Sequence, residues 1–214
     1  MTATARDLER EQAETRRKVI AAEVALLLLL RRGARATLPK RQRLRDSDAA
    51  FFEAATIRLV AEGRRVAARL GIARLGAELD AAGIAMPPSP FVATTSNGSA
   101  VAKAARKAVT RATAAAAEGH SAASTVDPAL RRIAATETHS AFGAARESAA
   151  RQVASVTTLY RVWDATLDKR TCPVCAAAHG LAIPRNERFP QGTPGSVHPY
   201  CRCIEWMLPV EMLP

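Results

Sequence analysis

Aromatic side chains are nearly missing from this chain: phenylalanine, tryptophan and tyrosine together make up 4% of its 214 residues. A core built without them is filled by many small apolar groups, and alanine dominates the 48% hydrophobic share. Alanine favours helix and buries little area per residue, so a helix-rich protein with closely approaching helices is expected. Long apolar runs are lacking too. The stretch Val19 to Leu30 spans only twelve residues and contains Glu23, too short to cross a bilayer. It follows a long charged segment, unlike the short basic start of a signal peptide. Its leucines do not repeat in heptads, which excludes a coiled-coil seam, and there are no internal repeats.

Acidic residues are outnumbered, 20 against 31 lysines and arginines, and the net charge is +11. Such a balance favours polyanionic partners, either nucleic acid or an acidic protein surface. Cysteine is absent until the last fifth of the chain, where all four occur. With no export signal, these thiols are expected in a reducing cytoplasm, where metal binding is favoured over structural disulfides.

The charged start and the five leucines Leu26 to Leu30 predict a first helix to about Arg32, its end enclosed by other helices or a partner. Gly33 is expected to break it. A basic patch without an acid follows, in which Arg31, Arg32, Arg35, Lys40, Arg41, Arg43 and Arg45 offer phosphate contacts. The plainer alternative is a solvated connector, since no aromatic is interleaved for stacking. A second helix is expected from Ser47 or Asp48 to about Ala82, with Gly63 and Gly71 marking kinks or close crossings. Residues 87–99, rich in Pro, Ser and Thr, read as a linker between a helical region, 1–86, and a second unit, 100–214. In that unit a helix over about Ala100 to Glu118 is followed by one opened by Asp127-Pro128 and ending near Val153. Tyr160 to Trp163 and Cys203 to Leu208 predict short strands with turns and loops between them. The fold class is thus mainly α, with a small α+β C-terminal unit too poor in apolar residues to hold itself together.

The residues that carry chemistry are Cys172-Pro-Val-Cys175 and His198-Pro-Tyr-Cys201-Arg-Cys203. Two thiols three positions apart can close on one ion, and the second cluster can complete a tetrahedral shell. Four thiolates on zinc are the first choice; His198 in place of Cys201 or Cys203 is close behind, because a Cys-x-Cys pair on a strand points to opposite faces. Disulfides and free thiols remain the alternatives. A thiol nucleophile on Cys175 or Cys201 with His179 or His198 as base is disfavoured, because four clustered cysteines suit a clip better. Asp168 and Thr171 are expected to satisfy turn donors, and Arg170 to reach Asp164 or Glu137. Glu137 is expected to anchor its helix to a loop, and Glu137 and His139 do not share a helical face for a joint metal site.

Taken in order, Ile133-Ala-Ala-Thr-Glu137, Ala144-Ala-Arg146, the block Trp163 to Cys175, His179-Gly180, Phe189 and His198 to Cys203 resemble the phage Mu protein F-like minor head proteins. The resemblance covers about Leu130 to Glu205; Tyr200 stands where asparagine is frequent, and Cys172 where serine is. It implies a virion component without enzymatic activity, in the head interior or at the portal vertex, made in the host cytoplasm and needed for head assembly or DNA delivery. Portal, major capsid or scaffold proteins and packaged double-stranded DNA are the partners implied. Trp163 and Gly180 join Glu137, Asp168, Arg170 and Thr171 as expected loop anchors. The alternatives are a nucleic-acid-binding module and a thiol-dependent or DNA-processing enzyme.

Overall fold

A computed structural model describes residues 5–38, 45–86, 98–153, 159–195, 197–198 and 200–213, and the described residues form four long helices, a short fifth helix, three short strands and a 3-10 turn at Val210–Met212. Helix α1 covers Ala5–Thr37, α2 Asp46–Ala81, α3 Gly98–Ala117 and α4 Ala122–Ala150. No helix among the described residues is long and apolar enough to cross a membrane.

Helix α1 continues through Gly33 instead of breaking there. A Cβ at Gly33 would stand 3.0 Å from Leu59 Cδ1, so this glycine makes room for α2. Of the five leucines, Leu26 and Leu30 are buried, but Leu28 and Leu29 are exposed. The other two glycines do mark close crossings: a Cβ at Gly63 would meet Leu26 at 2.8 Å, and one at Gly71 the Phe142 carbonyl oxygen at 2.5 Å. Helix α2 starts where the Arg45 backbone N–H donates to Asp48 Oδ2 at 3.0 Å. It ends at a left-handed Gly83, with the Ile84 N–H reaching back to the Leu79 carbonyl.

Helix α4 begins earlier than the Asp-Pro pair predicts. Ser121 occupies its N-cap position without a side-chain capping bond, and Pro128 lies inside. Ala122 and Val126 are buried in the main core, and that burial holds the turn ahead of the proline helical despite the lost N–H. Asp127 is not a cap; it receives Arg31 from α1. One apolar cluster includes Leu26 and Leu30 of α1, Phe52 and Val60 of α2, Val101 and Ala105 of α3, and Leu130 and Ile133 of α4. Helices on both sides of residues 87–97, the greater part of the expected linker and outside the described residues, therefore share one core.

The C-terminal unit is an antiparallel sheet of order β2-β1-β3, with β1 at Leu159–Asp164, β2 at Ala182–Pro184 and β3 at Ile204–Pro209. Trp163 pairs with Glu205, and Val162 with both Trp206 and Ala182. Strands β1 and β3 match the expected pair. The three-residue β2 and helix α5, Pro173–Ala178, lie where only turns and loops are expected; both are too short to leave a periodic signal. Strand β3 is buried along its whole length. Ile204, Trp206 and Leu208 pack with Val19, Ala67 and Phe142, and Met207 packs with Leu75, Leu79 and Ala149. Through β3 the unit shares core with the helices.

A buried charge network joins the two parts. Arg146 and Glu78, both fully buried, pair at 2.5 Å. Glu78 also accepts from Arg74 at 2.9 Å and from the Met207 N–H of β3 at 3.2 Å. The guanidinium groups of Arg74 and Arg146 lie over the Trp206 ring at 4.8 and 5.6 Å. Across the sheet, Arg161 donates to Glu205 at 2.7 Å and to the Glu187 carbonyl at 3.0 Å.

Candidate metal centre

Helix α5 exists to aim two thiols. Cys172 is its N-cap, Pro173 fills the first position, and the Cys175 N–H donates to Cys172 Sγ at 3.4 Å. One turn therefore sets Cys172 and Cys175 side by side. The second cluster arrives on the loop before β3. Tyr200 there has φ 65°, an uncommon left-handed backbone for a non-glycine residue. The Cys201 N–H closes the turn onto the His198 carbonyl at 3.1 Å, and the Tyr200 hydroxyl donates to the Pro128 carbonyl at 2.8 Å.

The five donors meet. His198 Nε2 lies 3.2 Å from Cys172 Sγ and 3.3 Å from Cys175 Sγ, and Cys175 Sγ lies 3.9 Å from Cys201 Sγ. Two triads of mutually close donors, Cys172/Cys175/His198 and Cys175/Cys201/Cys203, share Cys175. No disulfide joins the four cysteines. Zinc bonds of about 2.3 Å to sulfur and about 2.0 Å to nitrogen imply donor separations of roughly 3.5–3.8 Å in a tetrahedron, and the observed distances bracket that range. A small half-open pocket reaches these donors, lined by Cys172, Cys175, His198 and Cys203 together with Arg170 and Arg202. Each triad has the donor chemistry and spacing that fit a metal ion.

The thiol pKa values within the cluster shift in alternate directions. The Cys201 thiol is held down at about 5, chiefly by a hydrogen bond from Cys203, with backbone N–H groups of Cys203 and Gly195 and the nearby His198 adding to it. Cys203 is raised by that same bond and by burial. Burial pushes Cys175 up to about 12, and the Cys175 N–H draws Cys172 down. A cation bound here would displace the shared protons.

Behind the thiols stands Trp163, fully buried, with Phe189 edge-on at 5.1 Å and Cys175, Cys201 and Cys203 in the same cluster. The Trp163 carbonyl accepts the Gly180 N–H at 2.8 Å. Gly180 takes φ 79° there, which glycine adopts without strain. Asp168 and Thr171 close the turn before α5: Thr171 Oγ1 accepts the Asp168 N–H at 2.9 Å, and Asp168 Oδ1 accepts the Arg170 N–H at 2.8 Å.

Several expected roles change. Arg170 does not reach Asp164 or Glu137, because other arginines hold both acids. Arg16 of α1 forks onto Asp164, and Arg64 of α2 donates to Glu137 at 2.7 Å. Glu137 consequently anchors helix to helix, not helix to loop. His179 Nδ1 accepts the Ala165 N–H at 3.1 Å, so it is committed away from the thiols. His139 pairs with Glu23 at 3.2 Å. Among the basic-patch residues, Arg31 is bound to Asp127 at 2.6 and 3.0 Å. Arg32, Arg35 and Arg45 are exposed, and Lys40, Arg41 and Arg43 lie outside the described residues. Sequence reasoning gave no role to Arg202, whose two Nη atoms each meet Asp168 at 2.7 Å, or to Arg146. The only signal for Arg202 was its place between two candidate ligands.

The architecture defines the class: a helical bundle carrying a small three-stranded unit with a Cys/His cluster. Residues 92–205, more than half of the chain, match the phage Mu protein F like proteins, and the chain belongs to that family, which is one of phage head morphogenesis. No curated protein and no solved structure matches the chain.

Proposed function

We propose that the protein is a minor head protein of a tailed phage or phage-like particle, acting in head assembly and in DNA packaging and delivery near the portal, and that its Cys/His cluster is a structural zinc clip. One observation carries this reading: the family's C-terminal motifs converge on a cluster of thiol and imidazole donors that brings α5 and the loop before β3 together within the small C-terminal unit. The surrounding polar residues are spent on turns and ion pairs. Zinc would be held by Cys172, Cys175, His198 and one of Cys201 or Cys203, and would supply a cross-link between α5 and the loop before β3. The partners proposed are portal, major capsid or scaffold proteins.

Elemental analysis of protein purified under reductant tests the clip. About one zinc per chain is expected; no zinc with four titratable thiols rejects it. Mass spectrometry of purified particles tests the virion role, and absence of the chain from them would sink it. Packaged double-stranded DNA is the second partner proposed, on the strength of exposed Arg32, Arg35 and Arg45 in a chain of net charge +11. That contact requires a DNA affinity that falls steeply with salt.

A further inference from the structure

Part of the exposed side of α1 is apolar where a solvated helix would be charged. Ile20, Val24 and Leu28 are 39, 48 and 57% exposed and recur at intervals of four, so they form one row about 12 Å long. Ala21 and Ala25 are exposed beside them. Both ends of the row are basic: exposed Arg17 and Lys18 before it, exposed Arg32 and Arg35 after it. No ion pair among the described residues engages Arg17, Arg32 or Arg35, whereas Lys18 meets the exposed Glu14.

We infer that this face of α1 is a docking surface for an amphipathic helix of another protein, one whose apolar stripe is flanked by acidic residues at both ends. Charge decides among the occupants. A second copy presenting the same face would set basic end on basic end whether the helices ran parallel or antiparallel. The segments of this chain outside the described residues, chiefly 1–4, 39–44, 87–97 and 154–158, contain no Asp or Glu, so none supplies the complementary charge. An apolar centre of four-residue period with cations about 22 Å apart, from Arg17 to Arg32, is met by a helix of matching row and opposite ends. The surface lies before residues 92–205 and uses none of the donors of the clip. The inference therefore extends the assembly reading and stands or fails separately from the clip, although it shares Arg32 and Arg35 with the proposed DNA contact.

The test uses the full chain and two synthetic helical peptides with the same row of leucines, one flanked by glutamates and one by lysines. Fluorescence anisotropy should detect binding of the glutamate-flanked peptide only. The double variant Val24→Glu/Leu28→Glu should weaken it roughly tenfold or more. Arg17→Glu/Arg32→Glu should reverse the preference toward the lysine-flanked peptide. These positions are exposed, so circular dichroism should be unchanged. Equal binding of both peptides, or of neither, overturns the inference. So does a concentration-dependent dimer that Val24→Glu/Leu28→Glu disperses, which would make the occupant a second copy. Binding to phosphatidylcholine/phosphatidylglycerol vesicles that the same variant abolishes, without peptide binding, would make it a lipid surface. Zinc content unchanged in these variants shows that the clip reading is untouched by either result.

Discussion

Arg202 stands between two cysteines of the cluster and grips Asp168, 34 residues earlier, with a guanidinium nitrogen on each carboxylate oxygen at 2.7 Å. Asp168 in turn holds the N–H of Arg170 and the hydroxyl of Thr171. The pair thus ties the approach to α5 to the approach to β3, the two segments that bring the thiols together. Arg202→Ala should lower stability by about 1 kcal/mol, the upper part of the range for a partly exposed pair, and Arg202→Lys should restore only part of it because the fork is lost. Urea unfolding of Arg202→Ala, Asp168→Asn and the double variant checks this: additive losses would show that the pair is not coupled.

Metal removal should be visible at Trp163. The indole is buried against Cys175, Cys201 and Cys203, so stripping the proposed zinc with a chelator at neutral pH should red-shift and broaden its fluorescence and lower Tm. Trp206, packed among the helices, should change little. A Trp163→Phe variant assigns the signal, and an unchanged spectrum on chelation would count against a clip at this place.

Glu78 is the acceptor for two buried arginines and a strand N–H. Glu78→Gln leaves Arg146 uncompensated and should cost about 3–5 kcal/mol, whereas Glu78→Leu with Arg146→Met, which still strands the Met207 N–H and leaves Arg74 to Glu11, should cost less. Thermal unfolding of the two variants decides it. Equal losses in single and double variants would contradict the role of the charge.

Two glycines of α2 make a paired test of helix approach. Gly71→Ala drives a methyl against the Phe142 carbonyl, 2.5 Å away, and should destabilise by about 1–3 kcal/mol. Gly76 has nothing within 4 Å of an added Cβ, so Gly76→Ala should stabilise by about 0.5–1 kcal/mol through helix propensity. Opposite shifts in urea midpoint are expected.

Asp127 supplies a pH test. Hydrogen bonds from Arg31, together with Arg131, depress its carboxyl from 3.8 to about 2. A depressed acid contributes stability that is complete above its unfolded value and is lost as the pH falls through the folded one. Roughly 1 kcal/mol, discounted for solvent screening, should disappear between about pH 4 and pH 2. Asp127→Asn should remove that part of the acid limb and leave the curve above pH 5 parallel to the wild type. Exposed Asp168, held at about 2 by Arg202, titrates over the same window and remains in the variant.

Much of the frame could be read before any coordinates. The alanine-rich composition predicts close helices, and Gly71 against the Phe142 backbone realises that expectation. Strands β1 and β3 show in their aromatic and β-branched residues. Local signals erred where tertiary burial outweighed them: Gly33 reads as a stop and Asp127-Pro128 as a start, yet contacts with α2 and the common core carry the helices through both. Five leucines in a row read as an enclosed end, though a helix in a bundle offers its core only one stripe.

By itself the sequence determined the helical class and the family and marked five candidate donors, because composition, motif order and residue type are local properties of the chain. Which arginine meets which acid was decided only by tertiary structure. Arg31 could serve a phosphate or Asp127, and Arg170 or Arg16 could serve Asp164, since every guanidinium carries the same charge and reach. The choice is made when helix packing fixes distances across separations such as the 96 residues between Arg31 and Asp127.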